Sequence, residues 1–190
     1  MALSEIALCT AALLKLGAAQ ISSFDEDSVE AEVASALYAI TRDGLLSMHY
    51  WSFARGQRQL DKETAVPVAD FANSYKLPND FIRAERLGDR ATARIPEAYR
   101  IMENRLHTDA DPAVLTYTFR PNSPSWPPYF DTVLIAYLRA AFAMPVTENE
   151  RLAIAMEQAA DLALRQARLA DSQQDTPEAL QHFPLTDVRG

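Results

Sequence analysis

Apolar residues at Val29, Val33, Leu37, Ile40, Gly44 and Met48 recur every three or four positions, which places them on one face of a helix. The pattern predicts a helix over 28–48, about 30 Å long at 1.5 Å per residue. Asp27 followed by Glu30 supplies a variant capping box with Asp27 as the cap. The same periodicity predicts a helix over 5–16, with Ser4 as cap, Gly17 as stop, and Ile6, Cys9, Leu13 and Leu16 along one face. A third helix is expected over 129–143, turning Val133, Leu134, Tyr137, Leu138 and Ala141 inward and ending before Pro145. A fourth, over 148–171, opens on the Thr147–Glu150 capping box and continues through Leu152, Ala155, Met156, Ala159, Leu162, Ala163, Gln166 and Leu169. Its alanines permit close helix approach.

Between the second and third helices the period of 3.6 disappears. From 65 to 120, short runs rich in strand formers alternate with turn residues. Strands are expected over 71–77, 81–87, 98–102, 105–107 and 114–120. Pro78-Asn79-Asp80 turns the chain between the first two, and Glu103-Asn104 closes a two-residue hairpin. The resulting expectation is an α+β protein: a four-helix core with an inserted small antiparallel β-sheet. The core takes residues 1–54 and 122–171, the insert 55–121, and an extended C-terminal arm 172–190. Polar composition with Pro177 and Pro184 argues against a helix throughout the arm, whose apolar anchors are Leu180, Phe183 and Leu185. Around the end of the long helix, His49, Trp51 and Phe53 form a dense aromatic turn, and Trp126 is expected to anchor against the helices.

Length and composition leave this picture intact. At 190 residues, 48% hydrophobic and 23% charged, the chain has the balance of an ordinary soluble globular protein. One cysteine, Cys9, excludes an intrachain disulfide and reads as a small buried hydrophobe. The opening residues lack the basic start of a signal peptide. The apolar run 133–146 is broken by Arg139 and Pro145 and is short for a bilayer, so no membrane partner is expected. Net charge is −8, divided as −5 over residues 1–50, +1 over 51–121 and −4 over 122–190. An acidic total argues against general nucleic-acid affinity. Arg83, Arg86, Arg90, Arg94, Arg100 and Arg105 lie close together in the insert and read as a solvated face, or alternatively as a surface for an acidic partner.

Catalytic and metal chemistry finds little footing in the pattern. His49, His107 and His182 stand apart, without metal-ligand spacing. Asp25-Glu26-Asp27 lacks the glycine and further oxygen ligands of a calcium loop, and acids are favoured at a helix start in any case. Asp43, Ser47 and His49 lie on successive turns of one helix, where a triad seldom converges. Five glycines leave no room for a phosphate loop. The expectation is no enzyme, no cofactor and no metal.

The runs ALCTAALLKLGAAQISSFDEDSVEA, YAITRDGLLSMHYWSFAR and ANSYKLPNDFIRAERL, in that order, resemble the head-to-tail adaptors of tailed bacteriophages, the family of tail tubular protein A. The matching motifs are residues 13–17, 21–28, 49–54 and 75–83; YRIMENRLHTDADPAVLTYTFR looks like the family's hairpin and following strand. Tyr50 stands where that family commonly has proline. The resemblance spans about residues 2–170 and implies a structural virion protein. Such adaptors form a dodecameric ring under the portal protein, pass double-stranded DNA through the lumen without specific binding, and carry a downstream tail or nozzle protein. It also implies assembly in the host cytoplasm and a place at the head-to-tail junction, with Leu180, Phe183 and Leu185 as candidate portal-binding residues. The alternative is a small helical regulatory or DNA-binding protein with a β insert, although its helices lack a basic recognition face.

Overall fold

Among the described residues four helices form, and three of them start on a side chain that accepts from the first free amides. In the computed structural model, which describes residues 3–65, 67–88, 97–121 and 126–174, these are α1 (Glu5–Leu14), α2 (Val29–Ser47), α3 (Pro128–Thr147) and α4 (Glu150–Ser172). Ser4 Oγ accepts from the Ala7 amide at 3.1 Å, Ser28 Oγ from Ala31 at 3.2 Å, and Asn149 Oδ1 from Leu152 at 3.1 Å. Two caps therefore differ from expectation. Ser28 replaces Asp27, and Asn149 replaces Thr147, whose hydroxyl instead donates back to Ala143 O inside the last turn of α3. The stop at Gly17 is as expected. Its φ is 80°, and the Gly17 and Ala18 amides donate to Leu14 and Leu13 carbonyls, the paired closure that favours glycine.

Pro145 does not end α3, which continues to Thr147 and closes at Glu148 with φ 52°. Near the end of a helix a proline removes one bond that the chain can lose, rather than breaking a ladder. At 20 residues and mean hydropathy 1.3, α3 is long and apolar enough to cross a membrane by length and composition. Here it is the central packing element, touching α1, α2 and α4. Phe130, Val133, Leu134, Leu138 and Phe142 are fully buried along it. Each such side chain contributes about 1.5–3 kcal/mol on burial.

The buried face of α4 is not the expected one, and that of α2 is expected only in part, with Val33 and Leu37 packed against the core. Ala31, Ala34, Tyr38, Leu45 and Leu46 face the core from α2, while Val29, Ile40 and Met48 are 60%, 69% and 45% exposed. In α4 the buried positions are Ala153, Ala160, Leu164, Ala167 and Asp171; Leu162 and Leu169 are exposed. The physical reason is close approach. Small residues spaced seven apart let α4 lie against α3, and larger apolar side chains are left outside that seam.

The insert is two sheets rather than one. Strand β1 (Arg55–Gln59) follows a single 3₁₀ turn, Ser52–Ala54; the others are β2 (Asn73–Lys76), β3 (Phe81–Leu87), β4 (Tyr99–Met102), β5 (Arg105–Thr108) and β6 (Val114–Phe119). They pair antiparallel in the orders β1-β6-β3 and β2-β5-β4. β1, RGQRQ, carries no apolar signal and escaped the pattern; it is a polar strand at a sheet edge. The β4–β5 hairpin turns at Glu103 and Asn104, both at positive φ, as a two-residue turn requires. Tyr75, Leu77, Leu87, Leu106, Leu115 and Tyr117 form a second apolar core within the insert.

Candidate functional site

The aromatic turn after α2 is where the two halves of the chain meet. Trp51 is fully buried and donates its indole N–H to Leu45 O at 3.0 Å. Phe130 meets it edge-on at 5.1 Å and Tyr129 stacks at 6.4 Å; Phe53 packs on Phe130 at 4.9 Å. Trp126 joins the same cluster at 5.1 Å from Phe130, as its anchor role predicts.

Asp171, near the end of α4 and 3% exposed, ties this knot together. Its carboxylate accepts from the Ser52 amide at 3.1 and 3.2 Å, the Ser52 hydroxyl at 2.7 Å and the Tyr129 hydroxyl at 2.7 Å. His49 Nε2 lies 3.2 Å away. Burial first, then the bond to Asp171, pushes the Tyr129 hydroxyl up to about 12. Burial is the largest influence on His49 and holds its imidazole below the ordinary value; Asp171 opposes it, and Arg168 and Arg83 add to it. Sequence reasoning placed His49, Trp51 and Phe53 together correctly and missed Asp171, Ser52 and Tyr129. An acid at the polar end of an amphipathic helix gives no sign that it will be buried.

This arrangement is a clamp. Ser52 and His49 both direct a proton at Asp171, so the hydroxyl and the imidazole are tied to one buried carboxylate. The Asp43, Ser47 and His49 side chains take separate partners. Asp43 is held by Arg120 at 2.7 Å and by Arg42 at 2.9 Å; burial raises its carboxyl, and the two arginines more than reverse that. Ser47 donates to Gly44 O. Burial, with Glu5 nearby, pushes the Cys9 thiol up to about 12, which keeps it protonated and unreactive.

Arg83 and Arg55 are structural, while Arg100 and Arg105 stay on the solvated face, 64% and 43% exposed. Arg83 donates to Ser47 O at 2.6 Å and lies 3.6 Å over the Tyr50 ring, so Tyr50 serves as a platform at the turn. Arg55 pairs with Glu85, Arg100 with Asp70 and Arg105 with Glu63. Arg90 and Arg94 lie outside the described residues, as do Leu180, His182, Phe183 and Leu185.

Two of the concavities in the described residues bear on function. One, of about 380 Å³, lies against β5; it is lined by Ser74 and His107, whose hydroxyl oxygen and two ring nitrogens have no hydrogen-bond partner. The other, of about 450 Å³, is an apolar groove between α2, α3 and α4 lined by Ile40, Gly44, Met48, Ala140, Ala141 and Ala160 with Glu157 and Asp161 beside it. Among the described residues no group of three or more His, Cys, Asp or Glu could hold a metal ion. No protein-family profile matches the chain, and no curated protein matches it in sequence.

Proposed function

We propose that this chain is a structural virion protein, a head-to-tail adaptor like those of the tail tubular protein A family. Twelve copies form a ring beneath the portal protein, extend the DNA channel and carry a downstream tail or nozzle protein. It performs no catalysis and holds no cofactor. The observation that carries the reading is that the resembling motifs fall at the junctions of the fold. Residues 13–17 make the stop of α1. Residues 21–28 form a connector pinned by buried Ile21 and capped at Ser28. Residues 49–54 form the clamped aromatic turn, and residues 75–83 carry β2 through its turn into β3. A net charge of −8 suits a lumen that must release the DNA it passes, because phosphate contacts come from Lys and Arg.

Leu180, Phe183 and Leu185 are proposed to seat the C-terminal arm on the portal. Mixing the purified chain with portal rings of the same virus tests the reading by sedimentation and electron microscopy. A twelvefold ring stacked on one face of the portal is expected. Absence of co-sedimentation at any ratio of the two proteins overturns it.

A further inference from the structure

The two faces of the β2-β5-β4 sheet have different surroundings. Tyr75 and Leu106 pair across β2 and β5 and belong to the apolar core of the insert. Ser74 and His107 are the next pair in the same register, so they lie on the opposite face. Arg105 and Met102, paired across β5 and β4, share that face. All four line the cavity of about 380 Å³, together with Glu103 at the hairpin turn and residues 67–70. Ser74 is only 3% exposed. Yet its hydroxyl oxygen and both ring nitrogens of His107 are buried without a hydrogen-bond partner. Buried polar atoms left in this state are uncommon, and each calls for a partner.

The charges around the cavity are matched at all but one place. Arg105 is held by Glu63 at 2.8 Å, and Arg100 holds Asp70 at 3.2 Å. Glu103 is exposed, and among the described residues no ion pair or hydrogen bond holds it. The cavity therefore has an unmatched carboxylate at its open end and a hydroxyl and an imidazole at its buried end. A neutral imidazole accepts at one nitrogen and donates at the other, and a serine hydroxyl does both. Pro67, Val68 and Met102 add apolar wall.

We infer that this cavity binds a short aliphatic amine that carries a hydroxyl at its far end. The ammonium pairs with Glu103, the hydroxyl exchanges hydrogen bonds with Ser74 and His107, and the carbon stem lies on Pro67, Val68 and Met102. Glu103 and His107 are four positions apart, about 13 Å of backbone at about 3.3 Å per residue. With the reach of the two side chains, a stem of about five carbons bridges them. An anion is disfavoured, because the nearby guanidiniums are already matched and the remaining carboxylate repels it. A diamine is disfavoured too, since its second charge would enter the buried end, where Ser74 and His107 supply no carboxylate to match it.

The test follows the His107 imidazole by NMR in the whole chain, its signals assigned by their loss in His107→Gln. Aminopentanol, with its two groups at opposite ends, is expected to shift these signals saturably. Pentylamine and pentanol each lack one end and are expected to bind about tenfold more weakly. Glu103→Gln, on an exposed residue, should leave the thermal midpoint in place and abolish the advantage of aminopentanol over pentanol. Ser74→Ala should abolish its advantage over pentylamine; if that variant melts early, the pentylamine comparison on the wild-type chain reads the same end. The inference is overturned if no shift saturates, if pentanoate acts as aminopentanol does, or if Glu103→Gln binds aminopentanol unchanged. Equal binding of aminopentanol, pentylamine and pentanol would mean apolar filling alone, and overturns it as well. The outcome is independent of the adaptor reading, which stands or falls on portal binding.

Discussion

At Asp171 a single buried carboxylate accepts from three protein groups with His49 beside it, and so fixes the end of α4 to the turn after α2. Loss of a buried acceptor leaves several donors unsatisfied together, which is why such a residue resists substitution. The pH dependence follows from its neighbour. His49 has a folded-state pKa lowered from 6.5. As pH falls through about 6.5 the unfolded chain takes up a proton that the folded chain refuses, so stability declines until His49 itself protonates in the fold. Urea midpoints measured between about pH 7.5 and 5 should therefore fall with pH, and His49→Gln should flatten that slope. A slope unchanged by the substitution would assign the effect elsewhere. Trp51→Ala, which empties the centre of the aromatic cluster, should cost about 3–5 kcal/mol by the same denaturation measurement. His107→Ala should shift the midpoint far less, since its ring nitrogens make no hydrogen bond.

Among the elements, one glycine lies just past α1 and another inside α2, and the two respond oppositely to the same change. Gly17 ends α1 at φ 80°, where a Cβ is disfavoured by about 1–2 kcal/mol. Gly44 lies inside α2, with nothing within 4 Å of an added Cβ, and glycine there costs about 0.5–1 kcal/mol relative to alanine. Gly17→Ala should lower the denaturation midpoint and Gly44→Ala raise it; shifts of the same sign would mean that one of the two backbone roles is misassigned. The apolar stripes of α2 and α4 teach a related point. Periodicity finds a face, but both helices have a second one, and the face that packs is set by how closely α3 can approach. Alanines at 153, 160 and 167 allow that approach, so the larger residues Ile154, Leu162 and Leu169 stay outside.

For the whole molecule, the end of α4 decides where a truncation is informative. The sequence pattern starts the arm at 172, but Ser172 still belongs to α4 and the Gln174 amide donates to Asp171 O. Deleting 172–190 would disturb the clamp itself. Deleting 175–190 removes Leu180, Phe183 and Leu185 and spares it. On the adaptor reading, that shorter deletion should leave the thermal midpoint within about 2–4 °C, the shift expected of roughly 1 kcal/mol in a domain this size, while abolishing co-sedimentation with portal rings. Normal portal binding by the truncated chain would move the docking site to the helical core or the sheets. The insert joins the helices through Arg120 on Asp43 and Arg83 on Ser47, contacts that fix its orientation with charge-assisted hydrogen bonds.

The sequence by itself determined the helices, their order, the Gly17 stop, the Glu103-Asn104 hairpin and the α+β class, because these follow from local backbone preference and periodicity. It also gathered His49, Trp51 and Phe53 into one aromatic turn, of which Trp51 is fully buried. Only the tertiary structure decided which faces of α2 and α4 are buried, because that depends on the size of residues across the contact. It alone divided the insert into two sheets, since β1 is recruited by β6 without any apolar signal of its own. It alone buried Asp171, whose cost in isolation is met by donors 42 and 119 residues away in the chain, a distance no local pattern spans.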